Sequence, residues 1–244
     1  MGLHKKFTCW FLLLVVSLST GCGGFVYHHV QAGETLYSIS WKYGLDYRDV
    51  AKWNHIPAPY TIYDGQQLRV MPPSGMQRED TSIASTRQGA PVLNSSPSAS
   101  TSTSLVKHPP PFSYSSSPTK IKWRWPVKGQ LIKTYSNSDL SRKGIDISGK
   151  PGQPIQAAAS GSVVYAGSGL LNYGKLIILK HNDNYLSAYA YNRTLLVSEG
   201  ETVAAGQHIA DMGVKANGDA MLHFEIRFDG RPINPLKFLP KMRQ

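Results

Sequence analysis

The stretch DAMLHFEIRFDG, Asp219 to Gly230, sets a histidine beside a carboxylate. Leu222, Phe224, Ile226 and Phe228 alternate there with Met221, His223, Glu225 and Arg227. A period of two belongs to a strand with one apolar face and one face that carries His223 and Glu225 together. Imidazole and carboxylate in that relation can hold a metal ion, or mark the place where one was once held. Asp146, in KGIDISG, is a further carboxylate in the same half of the chain.

The elements around these residues read as strands. WRWPVKGQLIKTY, KGIDISG, PIQAAASGSVVYAG, GKLIILKHND, YLSAYAYN, TLLVSEGETVAAGQHIADMG and MLHFEIRFDGRPINP are short runs rich in β-branched and aromatic residues. Gly, Pro and Asn punctuate them at intervals of about 8 to 12 residues, the spacing of an all-β domain. Residues 121–240 therefore form one such domain, with no helix of normal length required.

This segment resembles the M23 (LytM) peptidase family over nearly its whole length. The residues that carry the likeness are GIDIS, GSVVYAG, GKLIILKH, EGETVAAGQHIADMG and LHFEIR with GRPINP. The resemblance implies a mainly antiparallel fold. It also implies one Zn²⁺, bound in active members through His-x-x-x-Asp and the second His of His-x-His, with two further histidines assisting the attacking water. On this chain the first ligand position is Arg142, the second is Asp146 and the third is His223. The assisting positions are Tyr191 and Met221. A guanidinium has no lone pair for zinc, and zinc hydrolases generally use three protein ligands. The domain is thus expected to be a degenerate M23 domain without metal or cofactor. Arg142 is expected to lie near the old metal position and pair with Asp146. The vacated groove, lined by Arg142, Asp146, Tyr191, Met221 and His223, would serve as a protein contact, since Arg, Tyr and Met are enriched at interfaces. His181 and His208 match no ligand position and are expected in hydrogen-bonded surface or core roles.

A second module spans residues 26–70. VYHHV reads as a strand and GETLYSISWKYG as a helix capped by Thr35 and stopped by Gly44. DYRDVAKWN gives a second helix and QLRV a closing strand. This small α+β strand–helix–helix–strand module is similar to the LysM family, on VQAGETLYSIS and AKWNHI…YTIYDGQQLRV. The resemblance implies binding of N-acetylglucosamine-containing peptidoglycan glycans in a groove. One side of the groove would be Gly33, Glu34, Thr35 and Leu36, and the other Ile56, Pro57, Tyr60, Thr61 and Ile62. Leu36, Ile62 and Thr35 have an equally good structural reading, as core and helix cap.

Residues 71–120 connect the two modules. Ser, Thr and Pro fill 26 of these 50 positions. Such a chain cannot bury enough apolar surface to offset its ordering entropy, and is expected to be a disordered linker reaching on the order of 40 Å.

At the start, Lys5 and Lys6 precede an apolar run from Phe7 to Leu18, followed by small residues and Cys22. The run is short for a membrane span and fits a signal-peptide core over residues 1–22. Its end resembles a bacterial lipobox, which would make Cys22 the lipidated residue of an outer-membrane lipoprotein facing the periplasm. Ser19 departs from that pattern, so a soluble secreted form or an uncleaved anchor stays open. The only other cysteine is Cys9, so a chain cut before Cys22 has no disulfide pair.

The net charge of +11 suits any anionic polymer. No nucleic-acid module signature is present and the basic residues are scattered, so nucleic acid is not an expected partner. Taken whole, the order lipobox, LysM, low-complexity linker and degenerate LytM domain resembles the NlpD-type group of envelope lipoproteins and their smaller ActS/YgeR-like paralogues. Membership implies activation of an N-acetylmuramoyl-L-alanine amidase during cell-wall hydrolysis and daughter-cell separation. An active zinc endopeptidase and a purely wall-binding lipoprotein are the alternatives.

Overall fold

The computed structural model describes residues 26–73, 120–139, 142–215 and 217–241. The expectations for the signal, Cys22 and most of the linker fall outside the described residues.

In the first module, β1 (Tyr27–His29) pairs antiparallel with β2 (Gln67–Arg69), and α1 (Leu36–Tyr43) and α2 (Tyr47–Trp53) lie between them in sequence. Local chemistry sets both helix starts. Thr35 Oγ1 accepts the Ser38 N–H at 3.1 Å, and Ser38 Oγ accepts the Thr35 N–H at 2.9 Å. That reciprocal cap satisfies two donors that an α-helix leaves unpaired. Asp46 caps α2 by accepting the Arg48 N–H at 2.8 Å. Gly44 ends α1 in the left-handed region at φ 67°. Leu36, Ile39, Val50 and Leu68 form the small core.

The second module contains β3 (Leu131–Lys133), β4 (Ile145–Ser148), β5 (Pro154–Gln156), β6 (Gly161–Gly167), β7 (Lys175–Lys180), β8 (Tyr185–Leu195), β9 (Thr202–Val203), β10 (His208–Met212), β11 (Met221–Phe228) and β12 (Arg231–Ile233). The main path runs β3-β4-β11-β8-β7-β6-β9, with β12 on β11, and β10 bridging β5 and β8. Every pairing is antiparallel. A 3-10 turn at Pro235–Lys237 is the only helical piece of this module among the described residues. The strand alternation read from DAMLHFEIRFDG holds: Leu222, Phe224 and Ile226 enter the main core with Ile145, Ile147 and Tyr189.

The opposite sheet face is covered as well, and the first module covers it. Leu176 to Leu179 of β7 are buried without a break, as befits a strand enclosed on both faces. Leu176 and Ile178, with Leu186, Ala188 and Ala190 of β8, form a cluster with Trp41 and Tyr47. The two alanines leave room for the incoming aromatic rings. Burying side chains of this size contributes about 1.5–3 kcal/mol each. Polar contacts fix the orientation. Thr35 Oγ1 donates to the Val164 carbonyl at 3.0 Å, and Arg48 pairs with Asp229, which also accepts from Asn184. Gly230 lies where any β-carbon would stand 2.4 Å from the Leu45 carbonyl carbon, at φ 74°, so the β11–β12 turn admits the α1–α2 connection only as glycine. Two modules read from sequence as the ends of a tether are here packed together.

Candidate functional site

Strand register assembles the site. β11 lies between β4 and β8, and His223 stands opposite Asp146 on one side and Ala190 on the other. Directly opposed residues of paired strands bring their β-carbons within about 4.5–5.5 Å, close enough for side chains to bond. His223 Nδ1 lies 2.6 Å from Asp146 Oδ1, and Nε2 lies 3.1 Å from Glu225 Oε1. Glu225 continues the chain, accepting from Tyr173 Oη at 2.7 Å and from Arg227 Nε at 3.1 Å. Arg227 Nη1 then donates to the Trp41 carbonyl at 2.8 Å. Five polar groups thus run from the mouth of the cleft to the underside of the first module.

The electrostatics follow from burial and pairing. Burial alone draws the His223 pKa down, but the hydrogen bonds and charges of Asp146 and Glu225 outweigh it and raise it to about 9. Both ring nitrogens face carboxylates, so both donate and the ring is an imidazolium at neutral pH. Glu225 is fully buried, which raises its pKa; Arg227 and His223 overcome this and hold it at about 2. Tyr173 is pushed well above the usual phenol range, first by burial and then by the Glu225 charge.

The cleft has a volume of about 510 Å³. Asp146, Tyr191 and His223 line it. Tyr191 is held in the left-handed region at φ 63°, a strained state for an aromatic residue. Its hydroxyl donates to the Asn172 carbonyl at 2.7 Å, and Lys215 Nζ sits 4.8 Å from its ring centre.

Two expectations are corrected. Arg142 does not pair with Asp146: its Nε donates to the Thr134 carbonyl at 2.9 Å and Nη2 to Thr134 Oγ1 at 2.8 Å. It folds onto its own loop because nearby acceptors satisfy it, while Asp146 is already committed to His223. Met221 does not line the cleft; only 2 % exposed, it is buried at the start of β11. Lys133, Lys143, Lys215, Tyr173 and, from the first module, Trp41 and Lys42 line the cleft instead. Sequence reasoning missed these, since scattered lysines carry no periodic signal. His181 and His208 lie elsewhere, bonded to Ser160 and Ser187 and to Asp211 respectively. Burial depresses the His181 pKa to about 4.

The donor set does not suit zinc as arranged. Asp146 and His223, at the two retained ligand positions, bond to each other, and Arg142, whose guanidinium has no lone pair for a metal, turns toward Thr134. Among the described residues no group of three His, Cys, Asp or Glu side chains is placed to hold a metal ion.

The positions assigned to glycan binding divide into two groups. Gly33, Pro57 and Thr61 are exposed. Leu36 is buried in the small core, while Glu34, Thr35, Ile56, Tyr60 and Ile62 are half-buried. Glu34 Oε2 lies 2.6 Å from His28 Nε2. Tyr60 packs edge-on against Tyr37 and Tyr47. A shallow cleft of about 460 Å³ at this place is walled by Glu34–Tyr37 and Pro59–Ile62 on one side, and by β6 with Glu199 and Gly200 on the other.

Two family models match the chain: LysM domain over residues 28–70 and Peptidase family M23 over residues 141–235. The murein hydrolase activator NlpD of Escherichia coli strain K12 is 41% identical over 87% of this chain and 67% of its own length. The chain belongs to the NlpD family. The Pseudomonas aeruginosa lipoprotein NlpD/LppB homolog, at 42% identity over 87% of this chain and 76% of its own, is a further NlpD relative. The E. coli lipoprotein YgeR is similarly placed, at 40% over 92% of this chain and 85% of its own. A LysM domain followed by an M23 domain is the architecture of this chain.

Proposed function

We propose that this protein is a non-catalytic LytM-domain lipoprotein that binds peptidoglycan through its LysM module and activates an N-acetylmuramoyl-L-alanine amidase. The coarser part, a peptidoglycan-related activator role, has the support of relatives named murein hydrolase activators at about 40% identity. The observation that carries the finer part is the state of His223. Its two nitrogens are bonded to Asp146 and Glu225, so the group that would bind zinc in a peptidase serves here as a fixed cation bridging two carboxylates. A cleft stabilised in that way keeps its shape without metal and presents a surface rather than a reacting centre. The glycan contact is assigned to Gly33, Pro57 and Thr61 with Tyr60 beside them, and attachment to the outer membrane, on its periplasmic face, to a lipid on Cys22. The test is release of dye from labelled peptidoglycan by a purified amidase, by this protein, and by the two together. Release only in the mixture, unaffected by pretreating this protein with a chelator that is then removed, is the expected result. Release by this protein alone that a chelator abolishes would make it a zinc peptidase. No release beyond the amidase's own would leave a wall-binding lipoprotein.

A further inference from the structure

The cleft at the glycan-binding positions is not built by the LysM module alone. Tyr37, Tyr60 and Thr61 stand on one wall, and β6 with Glu199 forms the other. Its volume of about 460 Å³ lies in the range of sites that take small ligands. Local bonds fix both walls. Thr35 Oγ1 donates to the Val164 carbonyl at 3.0 Å, so a hydroxyl at an expected glycan position is here a bond between the modules. Tyr60 is kept at φ 67°, a left-handed backbone rare for an aromatic residue, and its ring packs edge-on against Tyr37. Tyrosine rings in such a wall offer flat apolar faces to a sugar ring and a hydroxyl at the rim. The charge of the lining is opposite to that of the chain. Lys and Arg outnumber Asp and Glu by 26 to 15, yet no basic residue lines this cleft and two carboxylates do, Glu34 and Glu199. Glu34 is matched, by His28 at 2.6 Å and Lys42 at 3.7 Å. Glu199 has no cation beside it among the described residues. Its Oε1 accepts the Ala166 N–H at 3.2 Å, which orients the carboxylate and leaves its second oxygen to meet a ligand.

We propose that Glu199 of the second module is a specificity residue of the glycan site, and that the two-module cleft takes an uncharged N-acetylated sugar while rejecting one that carries a carboxylate. The proposal rests on the assignment of glycan binding to the LysM module, and adds the second wall and its selectivity. Peptidoglycan offers both kinds of sugar. N-acetylglucosamine is neutral. N-acetylmuramic acid bears a lactyl group whose carboxylate is free once the peptide is removed, and the peptide brings carboxylates of its own while attached. A like charge beside Glu199 is unfavourable, and the cleft holds no cation to offset it. The hydroxyls of a neutral sugar instead donate to the same carboxylate, a charge-assisted bond. The docked modules therefore seat a neutral unit of the glycan in the cleft and leave the muramoyl unit outside it.

The test is isothermal titration of the full chain with two probes. One is chitotetraose, in which every ring is neutral; the other is the same tetrasaccharide with the primary hydroxyl of each ring oxidised to a carboxylate. Chitotetraose should bind about fivefold or more tightly, and the gap should narrow as salt is raised. Glu199→Gln, on an exposed side chain and so tolerant of change, should tighten binding of the oxidised sugar about threefold and leave chitotetraose within about twofold. Glu199→Lys should make the oxidised sugar the tighter ligand, whereas a damaged fold would weaken both alike. Equal binding of the two sugars by the wild-type chain, or a gap that Glu199→Gln leaves unchanged, overturns the proposal. Thr61→Asp separates that failure from failure of the glycan site itself. Weaker chitotetraose binding in Thr61→Asp, with an unchanged gap in Glu199→Gln, removes the second wall and keeps the glycan site. Chitotetraose binding that Thr61→Asp does not alter, or no binding of either sugar, removes the glycan site and the proposal with it.

Discussion

The guanidinium carbon of Arg227 stands 3.6 Å from the centre of the Trp41 ring, and its Nη1 donates to the carbonyl of the same residue at 2.8 Å. Strand β11 of one module and helix α1 of the other meet in this pair. Arg227 also neutralises Glu225 beneath it, so one side chain supports both the seam and the cleft.

Arg227→Met keeps the volume but leaves Glu225 buried without its strongest counter-charge. Breaking a buried pair in this way costs about 3–5 kcal/mol, and the lost cation–π contact adds about 1–2 kcal/mol. Thermal unfolding followed by tryptophan fluorescence should show the loss, together with a red-shifted native emission as Trp41 becomes wetter. Arg227→Lys should recover little, since an ammonium cannot hold Glu225 and the Trp41 carbonyl with one planar fork. A full recovery with lysine would mean that charge alone matters there.

The pH dependence of stability follows from His223 and Glu225. His223 is raised to about 9 from an ordinary 6.5, so its contribution is complete below 6.5 and lost as pH rises through 9. Glu225 is lowered to about 2 from 4.5, so its contribution is complete above 4.5 and lost as pH falls toward 2. Both are complete only between about pH 4.5 and 6.5, which is where this network stabilises the fold most. In a His223→Gln chain the decline from pH 6.5 to 9 should flatten, as chemical denaturation at several pH values would reveal. An unaltered slope would place the titrating group elsewhere.

Zinc supplies a separate check on the cleft. A stoichiometric addition at pH 7 should leave the melting temperature unchanged, because only Asp146 and His223 of the three ligand positions carry a donor and zinc sites generally use three protein ligands. By mass action a ligand at 100 times its Kd stabilises a protein by about 2.7 kcal/mol, a shift that calorimetry resolves easily.

Within the LysM module, wall binding and stability should respond to different residues. Thr35→Val removes both the cap on α1 and the bond to Val164, and should lower stability by about 1–2 kcal/mol. Pro57→Asp and Thr61→Asp, both on exposed positions, should weaken binding to chitotetraose severalfold while leaving the melting temperature within about 1–2 °C, as surface changes generally do. A Thr61 variant that binds the oligosaccharide normally would move the glycan site away from this loop.

Gly230→Ala tests the docking itself. Its β-carbon would meet the Leu45 backbone at 2.4 Å, in a backbone region that alanine avoids. Small-angle scattering should show a larger radius of gyration as the modules separate. An unchanged scattering profile would show that the seam yields without opening.

The sequence by itself determined the two modules, the two ends of α1, and the strand that carries His223. These depend on neighbours a few residues apart: Thr35 with Ser38, Gly44 after α1, and the alternation from Met221 to Phe228. The strand from Leu176 to Leu179 is buried on both faces, and nothing local in the sequence says what supplies that cover. Only the tertiary structure decided that the LysM helices provide that cover, that Arg142 turns to Thr134, and that Lys42 and Trp41 share a cleft with residues from β3, β4, β8 and β11. Such contacts join residues far apart in sequence, where no period or cap constrains the pairing. They arise because an apolar sheet face and a buried carboxylate each require a partner, and packing selects which one arrives.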